Sequence, residues 1–181
     1  MHAFWAARSS IPWAEPPSNE PPCTPYHEAR KKNNSSNVKH DNIASQNPPK
    51  EMAKQLQGVE AEYLFFAAYF QKDSEQENWN VNGVMLKNFL DALDITGASK
   101  KLKRIILTTG AIQYGVHLGE LKQPMDESDP WVDGPGRPPN FYYHQQNILK
   151  EKTKGANWDS VGTYLNDVVG VAKNNLMNLA T

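Results

Sequence analysis

Residues 62–70 read EYLFFAAYF, and after Glu62 every position is apolar or aromatic. A continuous apolar run of this length is what a strand covered on both faces requires, as in a parallel sheet. Downstream, residues 77–95 carry Val81, Met85 and Phe89 on one helical face and Leu86, Leu90 and Leu93 on another. Two apolar stripes mean burial from more than one side. LKRIILTTG (102–110) is a second buried strand, FYYHQQNILKEKTK (141–154) a further helix, and SVGTYLNDVVGVA (160–172) holds one or two short strands. Upstream, PPKEMAKQLQG (48–58) reads as a helix with proline in its first turn and Gly58 as its stop, and NVKHDNI (37–43) as a weak strand. Strands alternating with long helices indicate crossover units. The fold class is therefore α/β, a parallel sheet with flanking helices.

The chain is uneven. Eight of its 13 prolines lie in residues 1–50, and the polar tract ARKKNNSSN (29–37) follows the densest of them. Such a segment has too little apolar surface to offset its ordering entropy. Residues 1–36 are expected to be a disordered Pro-rich tail, and residues 37–181 the folded α/β domain. A net charge of -1 removes the electrostatic case for nucleic acid or an anionic membrane. The lone cysteine, Cys23, allows no internal disulfide and favours a reducing compartment. With no apolar run of membrane-spanning length and no secretory signal, the cytoplasm is the plain expectation.

Parallel α/β sheets bind ligands beyond the carboxyl ends of their strands. That rule gathers AAYF (67–70), TTGAIQYG (108–115) and TYLNDVVG (163–170) at one rim, with Thr108, Thr109, Tyr114 and either Tyr142 or Tyr143 near one crevice. Taken alone, a Thr-Thr at a strand end is more often a cap, and a tyrosine pair more often core.

LKRIILTTGAIQYG, NFYYHQQNIL and TYLNDVVGVAKNNLMNLAT, in this order and spacing, resemble the short-chain dehydrogenase/reductase superfamily. More narrowly they resemble the branch of progesterone 5-beta-reductase and iridoid synthase-like enzymes and its fungal relatives, over residues 37–181. The resemblance implies an extended Rossmann fold, an NADPH cofactor and reduction of a small conjugated carbonyl compound, commonly in specialised metabolism. It assigns the catalytic role to Tyr142, which would polarise the carbonyl oxygen as enolate charge develops. It assigns cofactor contacts to Ala68, Tyr69, Thr108, Tyr142, Val168, Asn175, Leu176 and Met177. It implies no metal.

Several positions depart from that pattern. The family's loop lysine falls on Ile112, and the alternative lysine places four residues after each tyrosine hold Gln146 and Asn147. A family proline falls on Leu165, and an often acidic position on Ala44. No strand–glycine-turn–helix unit precedes Gly58, so the pyrophosphate of a dinucleotide lacks its usual cradle. Both ends read as cut, and EYLFFAAYF is expected to expose an unpaired edge. Three readings follow: a carbonyl reductase, a truncated relative without catalysis, and a non-catalytic subunit that pairs with a partner or with itself through that edge.

Overall fold

The computed structural model describes residues 4–7, 46–119 and 122–165. Helix α1 (Pro49–Gln55) begins with proline where a missing N–H costs nothing, and Gly58 turns the chain with φ 74°. Strand β2 (Tyr63–Phe66) leads through a loop to helix α2 (Glu75–Thr96). Ser74 caps that helix by accepting from the Glu77 amide at 3.2 Å, while its hydroxyl donates to the Glu77 carboxylate at 3.0 Å. The Ser-x-x-Glu spacing thus joins the cap to the third helical residue by one bond to the backbone and one between the side chains. Gly97, with φ 78°, ends the helix in the left-handed conformation. Strand β3 (Arg104–Thr109), helix α3 (Phe141–Lys152) and strand β4 (Asp159–Tyr164) complete the order.

Strands β2, β3 and β4 are parallel and adjacent in that order, with Phe65 opposite Ile106 and Ile106 opposite Val161. Phe66, Ile105 and Leu107 point to the helical side and are buried with Met52, Met85 and Leu86. The Phe66 and Phe89 rings lie 6.0 Å apart across the sheet–helix boundary. The expected α/β class with a parallel sheet is present. NVKHDNI lies outside the described residues, as does most of the segment 1–36.

Two expectations require correction. EYLFFAAYF was expected to be covered on both faces, yet Phe65 is 37% exposed and its neighbour Val161 41%. The cause is topological. Successive strands advance in one direction, and right-handed crossovers then put α2 and α3 on one face. The second correction concerns the edge of that strand. A fourth strand, β1 (Phe4–Ala7), pairs antiparallel with β2, Phe4 opposite Phe66 and Ala7 opposite Tyr63. The segment FWAA is an apolar patch inside an otherwise polar, Pro-rich stretch. The β2 edge is thereby covered. Among the described residues no helix is long and apolar enough to cross a membrane.

Candidate active site

The loop leaving β2 is shaped by α2. Asn82, fully buried, accepts from the Phe70 amide at 2.8 Å and donates to the Phe70 carbonyl at 2.9 Å. Asn78, one turn earlier, accepts from the Lys72 amide at 2.8 Å. Two side chains four residues apart on one helix thus satisfy three loop backbone groups, much as a neighbouring strand would. The strand therefore stops at Phe66, and residues 67–70 become a fixed rim loop. On it, Ala68 is buried while Tyr69 is 38% exposed and stacks on Phe141, with centroids 5.0 Å apart and planes at 23°.

Strand β3 delivers Thr108 and Thr109 to the same rim. The Thr109 side chain is buried and donates to the Thr163 carbonyl at 2.9 Å, tying β3 to β4, while Thr108 is half-buried. Asn140 caps α3 by accepting from the Tyr142 amide at 3.0 Å and donates to the Ile112 carbonyl at 2.7 Å. That one side chain joins the start of α3 to the turn after β3, and so sets where the tyrosine pair lies.

The two tyrosines have different surroundings. Tyr143 is 3% exposed, its hydroxyl accepts from the Val132 amide at 2.9 Å and donates to the Gln113 carbonyl at 2.7 Å, and its ring stacks on Trp131 at 4.4 Å and 3°. It clamps two loops and has no spare proton. Tyr142 is half-buried, and its hydroxyl makes no hydrogen bond to another described residue. A Cβ placed on Gly110, at the end of β3, would sit 3.5 Å from that hydroxyl. Burial first, then the nearby Tyr69, push the Tyr142 pKa up to about 12. The phenol therefore stays protonated through the physiological range.

The positions where a cation was sought hold none. Ile112 is half-buried, and its carbonyl accepts from the Asn140 side chain and from the Gly115 amide. Gln146 donates to the Gln113 side chain at 2.8 Å and to the Tyr142 carbonyl at 3.3 Å, and accepts from the Tyr164 hydroxyl at 3.1 Å. A neutral amide chain fills that space. The charges acting on the rim tyrosines are carboxylates: Glu75 raises the Tyr69 pKa after burial does, and Glu127, Asp129 and Asp126 do the same for Tyr114. Val168, Asn175, Leu176 and Met177 lie outside the described residues. Sequence reasoning missed Asn78, Asn82, Gln113 and Asn140, all buried polar residues. Asparagines four apart on an otherwise apolar helix face were the available signal for the first two.

A profile of the PRISE-like Rossmann-fold domain matches residues 41–181. The chain belongs to the PRISE-like family. An uncharacterised protein of Schizosaccharomyces pombe is 45% identical over 148 residues, covering 79% of this chain and 36% of that one. A short chain dehydrogenase of Penicillium aethiopicum is 34% identical over 96 residues, 53% of this chain and 24% of the relative. An (S)-8-oxocitronellyl enol synthase of Nepeta racemosa is 33% identical over 124 residues, 65% of this chain and 30% of the relative. The PRISE-like chain thus spans about a quarter to a third of the length of these relatives. A GDP-L-fucose synthetase from Naegleria fowleri shares the fold, with TM-score 0.52 and 14% identity over 80% of this chain and 45% of that one.

The described residues do not fit a whole nicotinamide dinucleotide. Beside β2, where a dinucleotide-binding half has a parallel strand running into a helix, stands antiparallel β1. The first glycine of the chain is Gly58. Tyr69, Thr108 and Tyr142 sit where they could meet a nicotinamide ring, but nothing described cradles a pyrophosphate.

Proposed function

We propose that this PRISE-like chain carries the carbonyl-activating rim of a reductase acting on small conjugated carbonyl compounds, with NADPH as the cofactor its family resemblance implies. The observation that carries this reading is the Tyr142 hydroxyl, protonated, unpaired among the described residues and lying beside Gly110 at the end of β3. Reduction of a conjugated carbonyl builds negative charge on the carbonyl oxygen. A fixed neutral donor at that oxygen stabilises the charged state more than the neutral substrate, which is what lowers a barrier. The half-buried setting strengthens the bond by excluding water.

The test supplies the full chain with NADPH deuterated at the transferable position, at millimolar concentration, and 2-cyclohexen-1-one. Mass spectrometry is expected to find deuterium at the carbon beta to the carbonyl. Tyr142→Phe is expected to cut the rate more than tenfold, as loss of an oxyanion donor typically costs about 10²–10³. Absence of labelled product, or an unchanged rate in Tyr142→Phe, refutes the reading.

A second reading, a subunit that pairs with another protein, is favoured by the row Phe65, Ile106 and Val161 on the sheet face away from the helices. Size-exclusion chromatography with a candidate partner tests it, and co-elution that Val161→Lys abolishes is the supporting result.

A further inference from the structure

We propose that Tyr69 is a second oxyanion donor, acting with Tyr142 on one ligand oxygen and taking the place of the absent lysine. The inference rests on the carbonyl-activating reading of the rim and adds a catalytic residue to it. Tyr69 and Tyr142 both pack on the Phe141 ring, at centroid distances of 5.0 Å and 4.1 Å, so the two phenols are held on one aromatic support. Phe141 is 1% exposed and cannot swing away. Asn82 fixes the Tyr69 loop through both backbone groups of Phe70, next in sequence. Neither phenol hydroxyl makes a hydrogen bond to another described residue, whereas the Tyr143 hydroxyl makes two. Phenols left unpaired on a fixed support at a crevice are preorganised donors.

The chemistry favours two donors. A carbonyl or enolate oxygen has lone pairs for two hydrogen bonds, and neutral donors on one oxyanion replace a cation without the cost of burying it. Ile112 and Gln146 supply no cation at the two positions that would carry a lysine. Burial first, and then the Glu75 carboxylate, push the Tyr69 phenol further up from its ordinary value.

The experiment uses the full chain and dimedone, a cyclic 1,3-diketone present as its enolate at neutral pH, titrated by NMR without cofactor. Its neutral O-methyl enol ether serves as a shape control. Wild type is expected to bind the enolate saturably. Tyr69→Phe and Tyr142→Phe are each expected to weaken enolate binding about 10- to 100-fold, the worth of a hydrogen bond to a charged group. Both variants retain the stack on Phe141, so binding of the enol ether is expected to change less than threefold. Tyr63→Phe, at the opposite end of β2 from the rim, is expected to leave enolate affinity within twofold. Failure of wild type to bind the enolate overturns the inference, and so does wild-type affinity in Tyr69→Phe. Enolate binding that depends on both tyrosines, without any deuterium transfer to cyclohexenone, leaves the donor pair standing and removes the reductase reading.

Discussion

Replacing Tyr143 by phenylalanine deletes one oxygen and removes two hydrogen bonds, from the Val132 amide at 2.9 Å and to the Gln113 carbonyl at 2.7 Å. Each such bond contributes about 0.5–1.5 kcal/mol net, so the substitution is expected to cost about 1–3 kcal/mol. The stack on Trp131 survives, because the ring stays. For a chain of this size each kcal/mol corresponds to roughly 2–4 °C, giving a drop in Tm of about 2–12 °C. Tyr142→Phe removes an equally small group whose hydroxyl bonds to no described residue, and its stability is expected to stay within about 0.5 kcal/mol of wild type. Thermal unfolding followed by circular dichroism measures both. The neighbouring residues should separate cleanly, one variant losing stability and the other losing function. Equal losses of stability would refute the assignment of Tyr143 as clamp and Tyr142 as free donor.

Gly83 faces His144 so closely that a Cβ would lie 2.1 Å from Nδ1, so Gly83→Ala must displace a ring stacked on Trp79 at 4.4 Å. A net cost of about 1–3 kcal/mol is expected by chemical denaturation, turning into a gain of up to about 1 kcal/mol when His144 is also alanine. Asn82→Ala orphans both backbone groups of Phe70, and hydrogen exchange at that amide is expected to accelerate at least tenfold. The Tyr142 pKa is raised in the folded chain, so its contribution to stability is complete below pH 10 and is lost as pH climbs toward about 12. Tyr142→Phe should flatten the alkaline limb in that window, and an unchanged limb would argue against a buried phenol. For NADPH, calorimetry on the 181-residue chain is expected to find no micromolar affinity, since several charge-assisted bonds to a pyrophosphate have no donor among the described residues. A clean micromolar dissociation constant overturns that reasoning.

What the sequence made legible follows from which interactions are local. Helix α2 could be read because Val81, Met85 and Phe89, and Leu86, Leu90 and Leu93, recur at helical spacing, while its capped ends at Ser74 and Gly97 were not read. Strand β3 could be read because IILTT is β-branched or apolar throughout. The sidedness of the sheet could not. Phe65 and Val161 look like core residues in a list, and only the direction in which strands are added, a property of the whole chain, leaves them exposed. The same limit divided the tyrosine pair. Tyr142 and Tyr143 share a helix start and a residue type, and their difference is made by Val132 and Gln113, 11 and 30 residues away in sequence. Resemblance named Tyr142, but it also directed attention to a lysine position that holds Ile112, which made the site look empty of help. The geometry shifts that judgement. Ile112 brings no cation, yet the rim loop is held at Phe70 by Asn82 so that a second phenol, Tyr69, lies against the support that carries Tyr142. An asparagine buried in α2 thus bears on the chemistry at the rim through one residue of backbone, a link that no motif at either place records.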